Sequence, residues 1–337
     1  MAKYIFEDTV YINFKSNKLL KGVKERMMAT SKRHTYLWNI KRSFKKYWPL
    51  YICLLLVLTY YVIFHYAPMM GIQIAFKDYS PSKGIWQSPW VGLKHFKRFF
   101  NAFDFTRILK NTVFISLYQL AVGFPIPILL ALMLNELRSK AFQKTIQMVT
   151  YAPHFLSLVV VAGLTISFLS PSTGIVNKLV TALGGQNVNY MAEPSYFRSI
   201  FVITGVWQNC GWNSVIYIAT IAGIDPALYE AAVVDGASKL KRIIYITLPM
   251  LLPTITILFI MNSGRIMQVG YEKVLLLQNS LNLNTSEVIS TYVYKNGLLK
   301  SKFSFSTAVG LFNSAINFTL LVLVNGISRR MSGNSLW

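Results

Sequence analysis

The sequence predicts an all-α membrane protein with six transmembrane helices, and two observations carry that prediction. Of the 337 residues 53% are hydrophobic and only 14% are charged, and the mean hydropathy is positive, a balance too apolar for an ordinary soluble chain. The charges are also segregated. Six stretches without Asp, Glu, Lys or Arg alternate with charged segments, whereas soluble helices carry their charges along one face.

The six stretches run Leu50 to Pro68, Thr112 to Leu134, Met148 to Leu169, Ile200 to Ile224, Ile246 to Met261 and Ala308 to Ile327. A helix needs about 20 residues to cross roughly 30 Å of hydrocarbon, and most of these stretches supply them. The fifth has only about 16 residues before Asn262 and is extended by Ile243 and Ile244. Roughly 47 polar, basic residues precede the first stretch, too many for the n-region of a cleavable signal, so that helix is expected to stay in the mature protein.

Orientation follows from the basic residues of the leader, among them Lys3, Lys15, Lys24, Arg26, Arg33, Lys41, Arg42, Lys45 and Lys46, which place the N-terminus in the cytoplasm. Six crossings return the C-terminus there, with Arg329 and Arg330 just past the last one. Lys77, Lys83, Lys94, Lys97, Arg98 and Arg107 fall in the first outer loop and count against this orientation. Trp38 to Trp48 interleave aromatic and basic residues, the composition of a helix lying in the headgroup region. The expected organisation is a basic cytoplasmic tail over 1–47, a permease domain over 48–330 with a cytoplasmic loop over 225–245, and a cytoplasmic tail over 331–337.

Several functions are excluded. The net charge of +22 accompanies long apolar spans instead of a folded basic surface, so anionic lipid and not nucleic acid is its partner. Cys53 and Cys210 lie inside apolar stretches without metal or disulfide spacing. No Gly-x-x-x-x-Gly-Lys-Ser/Thr run occurs, so ATP would have to be hydrolysed by another subunit. The spans carry none of the Asp, Glu, Lys or Arg that couple ions in secondary transporters. They also lack the acid, base, nucleophile or metal cluster of a membrane enzyme. His65 and His154 lie near span ends and read as packed or hydrogen-bonded residues. A secondary transporter or channel working without an ATPase stays open as the alternative.

Polar residues at lipid depth point to a path, because unpaired ones cost several kcal/mol against hydrocarbon. The fourth span is densest in them, with Trp207, Gln208, Asn209, Trp212 and Asn213. Gln208 with Trp212, and Asn209 with Asn213, form adjoining stripes of one face. Tyr118 and Gln119 in the second span, Asn262 after the fifth, and Asn313 and Asn317 in the sixth are further candidates. Aromatic rings and amides suit the apolar faces and hydroxyls of sugars, although polar side chains also tie helices to one another.

The loop between the fourth and fifth spans reads as a capped helix. Asp225 caps it, Pro226 begins it, and Gly236 ends it in a left-handed conformation. A second helix restarts near Ser238. Pro249 and Pro253 then lie four apart in the fifth span, which is expected to be bent or broken near its cytoplasmic end.

The spaced elements Glu230-Ala231-Ala232, Asp235-Gly236-Ala237 and Ile246-Thr247-Leu248-Pro249 with Pro253 resemble the EAA loop of ABC-importer permeases. Gly92-Leu93-Lys94-His95-Phe96, Asn111-Thr112 and Thr291-Tyr292-Val293-Tyr294 resemble the carbohydrate branch typified by the maltose permeases. The likeness spans roughly Trp48 to Arg330. The leader and the ending Gly333 to Trp337 are similar to Gram-positive permeases for complex polysaccharide fragments. The resemblance implies a type I ABC-importer permease fold in the bacterial cell membrane. It implies a second permease subunit, a dimer of ATP-binding subunits, an extracellular solute-binding protein and an oligosaccharide substrate, a non-sugar solute being the other option. ATP and Mg would sit on the ATPase, with no cofactor in this chain. Ala227, Tyr229, Glu230, Ala231, Ala232, Asp235, Gly236 and Ala237 would form the ATPase-coupling surface.

Overall fold

The structure is a computed structural model that describes residues 46–333, Ser335 and Leu336. The leader through Lys45, where most of the proposed surface helix falls, lies outside the described residues. Among the described residues the fold is helical throughout, with one isolated bridge between Lys77 and Trp90. Four helices are long and apolar enough to span a membrane unaided: Lys46–Phe76, Phe105–Asn135, Lys239–Ser263 and Phe303–Arg330. Two bent pairs raise the number to six. The described residues fall into two compact units, one ending at Gly71 and the other beginning at Ile72.

The third crossing departs from the single helix expected over Met148 to Leu169. It consists of Lys140–Phe155 and Leu158–Phe168, bent by 102°. Pro153 opens a tight turn at Ala152–Phe155, and Ser157 caps a new helix by accepting the Val160 N–H. The second piece has 11 residues, about 16 Å, roughly half a bilayer. The Leu156 carbonyl, at the break, accepts a hydrogen bond from Gln208 Nε2 at 3.2 Å.

The fifth span, expected to be bent or broken, is not broken. Lys239–Ser263 is one continuous helix, and the strain of Pro249 is taken up by a wider turn at Ile243–Thr247, where the Leu248 N–H bonds the Ile243 carbonyl five residues back. Proline clashes with the carbonyl four residues earlier; here that residue, Tyr245, lies inside the wide turn. The same arrangement precedes Pro68, with Ala67 bonding Val62 across Val62–Tyr66.

Within the second unit, apolar side chains form three cores. One joins Ile115, Phe197, Phe201, Val202, Val274 and Val288. A second joins Phe99, Ile108, Met267, Ile289, Phe305 and Val309. The third joins Ala131, Tyr217, Ile221 and Leu251. Asn111 and Thr112 staple the second span to the segment before the sixth. Asn111 Nδ2 donates to the Asn284 and Glu287 carbonyls, and Thr112 Oγ1 accepts the Ile289 N–H at 2.9 Å. Glu287 in turn receives Arg107 at 3.2 Å and Lys295 at 3.1 Å.

Candidate functional site

The second, fourth and fifth spans enclose a cavity of about 490 Å³. Its wall carries the amides of Gln119, Asn209, Asn213, Asn262 and Gln268, the indole of Trp212, and one charged side chain, Arg265. Ser116 and Gln119 are counted from Phe105, Asn209 and Asn213 from Pro194. At 1.5 Å per residue they lie roughly 16–28 Å in from those helix ends, at the depth of a membrane interior. Gln119, Asn213, Gln268 and Arg265 have no side-chain hydrogen-bond or ion-pair partner among the described residues. Their polar groups are available to an occupant.

Trp212 is held in place. Its ring stacks on His154 at 4.8 Å between centroids with 2° between planes, and His154 Nδ1 is 3.1 Å from Asn209 Oδ1. An aromatic plane and an amide are thereby fixed side by side. Close approach of the fourth span to the third makes this geometry attainable: at Gly211 an added Cβ would lie 2.1 Å from the Thr150 carbonyl oxygen.

An adjoining recess of about 310 Å³ shares Gln119, Gly205 and Asn209 with the cavity and adds Gln208, Tyr271, Glu272 and Lys273. Lys273 Nζ donates to the Phe201 carbonyl at 2.7 Å and sits 4.7 Å from the Phe201 ring centroid. Burial without a carboxylate pushes its ammonium down to about 7, because desolvation disfavours the charged form.

The structure separates the polar residues singled out in the sequence. Gln119, Asn209, Trp212, Asn213 and Asn262 line the cavity, and Gln208 lines the recess while bonding Leu156. Trp207, Tyr118, Asn313 and Asn317 line neither. Tyr118 packs against a core, while Asn317 Oδ1 accepts the Met267 N–H at 2.9 Å and Asn313 Nδ2 donates to the Met267 carbonyl. Arg265 and Lys273 escaped the sequence reading because both lie beyond the fifth apolar stretch. Arg265 is only two residues past the helix end at Ser263, and that proximity was the available signal.

The loop helix spans Pro226–Val234. Asp225 caps it by accepting the Ala227 N–H at 2.9 Å. Gly236, at φ +72°, closes it, with the Ala237 N–H bonded to the Ala232 carbonyl and the Gly236 N–H to Val233, the pairing of a Schellman cap. Ser238 caps the next helix through the Lys241 N–H. Val233 and Val234 are exposed, as are Glu230 and Asp235. The Tyr229 hydroxyl is 2.9 Å from Thr247 Oγ1, whose residue is buried in the wide turn of the fifth span.

A helical chain with up to six membrane-spanning segments, a capped loop helix before the fifth and a polar cavity among the second, fourth and fifth has the architecture of a transport permease. The chain belongs to the binding-protein-dependent transport system inner membrane components, whose family model matches residues 123–333, from the second span through the loop helix to the end of the sixth. It is a permease subunit of an ABC importer and not an enzyme; ATP hydrolysis resides in a separate subunit. Protein LplB of Bacillus subtilis (strain 168) is 40% identical over 288 residues, covering 86% of this chain and 91% of the relative. The polygalacturonan/rhamnogalacturonan transport system permease protein YteP of the same organism is 41% identical over 298 residues, covering 88% and 92%. Among solved structures, the bacterial alginate ABC transporter in complex with alginate pentasaccharide-bound periplasmic protein matches with a TM-score of 0.81 at 41% identity. That match covers 88% of this chain and 99% of the other.

Proposed function

We propose that this chain is one of two permease subunits of an importer for oligosaccharides or polysaccharide fragments and forms half of their path. The cavity wall is the observation that carries the reading: Trp212 offers a flat apolar surface to a pyranose ring, and the surrounding amides offer donors and acceptors to its hydroxyls. The saccharides named for the two relatives described above are consistent with it. A second permease subunit, two ATPase subunits and an extracellular solute-binding protein complete the assembly. ATP and Mg belong to the ATPase pair, and this chain holds no cofactor.

Both termini face the cytoplasm of a bacterial cell in this reading, because the leader and the pair Arg329-Arg330 concentrate positive charge next to the first and last spans. The loop helix then lies on the ATPase side. Ala227, Glu230, Ala231, Ala232, Asp235, Gly236 and Ala237 form its docking surface, and Tyr229 links it through Thr247 to the fifth span. Closure of the ATPase dimer moves the loop helix, and that link passes the motion into the bundle.

Reconstitution in proteoliposomes tests the whole reading. Oligosaccharide uptake that requires ATP, the partner permease, the ATPase and the binding protein is the expected result. Uptake by this chain alone would replace it with a secondary transporter or channel. Orientation is tested with cysteines at the exposed positions Ser82 and Leu281, which are expected to react with an impermeant thiol reagent from outside the cell. A cysteine at Ser238 is expected not to react; labelling there from outside would reverse the topology.

A further inference from the structure

We propose that the permeating saccharide is anionic and that Arg265 binds its acidic group as it crosses the cavity; the inference rests on the importer reading above. The argument begins with sign. The cavity wall carries amides and an indole but no Asp or Glu, and Arg265 is its single charge. No carboxylate pairs with Arg265 among the described residues. Neutral sugar hydroxyls are already served by the amides, so a lone cation adds recognition only for an anion.

The backbone under Arg265 is also fixed. Gly264 packs beneath the sixth span so closely that a Cβ there would lie 2.6 Å from Leu321 Cδ1. Two residues after Arg265, Met267 is held at its N–H by Asn317 Oδ1. Between these anchors the Arg265 N–H bonds the Asn262 carbonyl and the Gln268 N–H bonds the Arg265 carbonyl. Asn317 is therefore a positioning residue, and the guanidinium is delivered to the cavity from a tight turn pinned on both sides. A planar guanidinium pairs with a carboxylate through two parallel N–H···O bonds, which an ammonium cannot match. A uronate carboxylate is the sugar substituent that fits this geometry. On the adjoining recess Lys273 shares the wall with Glu272, so the proposal rests on Arg265 alone.

The test uses the complete transporter with its binding protein in proteoliposomes. Its probes are oligogalacturonates and oligomannuronates on one side, and neutral galacto- and arabino-oligosaccharides on the other. Uptake confined to the uronates is expected. Arg265→Gln is expected to be recovered as intact complex and to raise the uronate concentration needed for half-maximal ATPase stimulation by about ten- to a hundredfold, with partial rescue by Arg265→Lys. Equal uptake of neutral probes, or wild-type uronate dependence in Arg265→Gln, would overturn the proposal. Loss of the complex in Arg265→Gln would overturn it too, by assigning the arginine to an ion pair with the partner permease. ATP-independent uptake by the wild type would instead defeat the importer reading itself.

Discussion

Replacing Gly211 by alanine adds one carbon to the most crowded backbone contact in the bundle. Built on the existing backbone, that carbon lies 2.1 Å from the Thr150 carbonyl oxygen and 2.4 Å from the carbonyl carbon, where ordinary contact begins at 3.4 Å. The obstruction is main chain, so no rotamer relieves it, and the two helices must part by about 1.3 Å. Overpacking of this kind costs about 1–3 kcal/mol. The displacement also falls between Asn209 and Asn213, which line the cavity, so whatever folds is expected to transport poorly. The assay is the melting temperature of the detergent-solubilised complex, followed by size-exclusion chromatography, alongside uptake in proteoliposomes. Gly163→Ala is the control, since a Cβ there meets nothing within 4 Å; its melting temperature is expected to match or slightly exceed wild type, because alanine favours a helix. A Gly211→Ala complex with wild-type melting temperature and uptake would refute the close packing and the cavity geometry derived from it.

Three further outcomes are expected. Gly236→Val places a β-branched residue at φ +72°, a penalty of about 1 kcal/mol or more, and is expected to insert normally while uncoupling ATP hydrolysis from uptake; normal coupling would exclude the elbow from force transmission. Tyr229→Phe removes the hydroxyl contact with Thr247, worth about 0.5–1.5 kcal/mol, and is expected to lower uptake per ATP hydrolysed, whereas an unchanged ratio would dismiss that link. Lys273 titrates near 7 when folded and near 10.5 when unfolded, so the unfolded chain holds the extra proton between those values and stability rises with pH across that window, while below 7 both states are protonated and the slope vanishes. From pH 7 to 9 that is a gain of about 2–3 kcal/mol, which Lys273→Met is expected to abolish in melting curves; an identical pH slope in the variant would show that the ammonium is not desolvated.

Where the six helices lie was legible in the sequence because a membrane demands long uncharged runs, and the loop helix was legible because Asp225, Pro226 and Gly236 each permit one backbone role. The break in the third crossing was not. Its residues from Met148 to Leu169 include no Asp, Glu, Lys or Arg, and the partner of the freed Leu156 carbonyl is Gln208, on another helix. Which polar residues face the cavity was half legible. Helical spacing correctly put Asn209 with Asn213 on one stripe, but the rotation of each helix about its axis depends on its neighbours, and a step of one residue turns a side chain by about 100°. Trp207 and Tyr118 were lost to that rotation. Asn313 and Asn317 were lost to a different cause, since their amides serve the backbone of Met267. Pro249 was correctly read as incompatible with a regular helix, yet a wider turn absorbed the conflict without a break.

That wider turn sets the phase of the fifth span. A turn closed by a bond five residues back encloses one residue more than an α-helical turn, so side chains beyond Thr247 are rotated by about 100° from where an uninterrupted helix would carry them. Two sets of residues on one rod are thereby indexed independently: the basic cluster at Lys239, Lys241 and Arg242 below the turn, and Leu258 and Asn262 on the cavity above it. Restoring α-helical bonding across Ile243–Thr247 with every residue kept would turn one set past the other by about a quarter revolution. The cavity and the loop could then no longer face their separate surfaces at the same time, even though the span would be as long, as apolar and as helical as before.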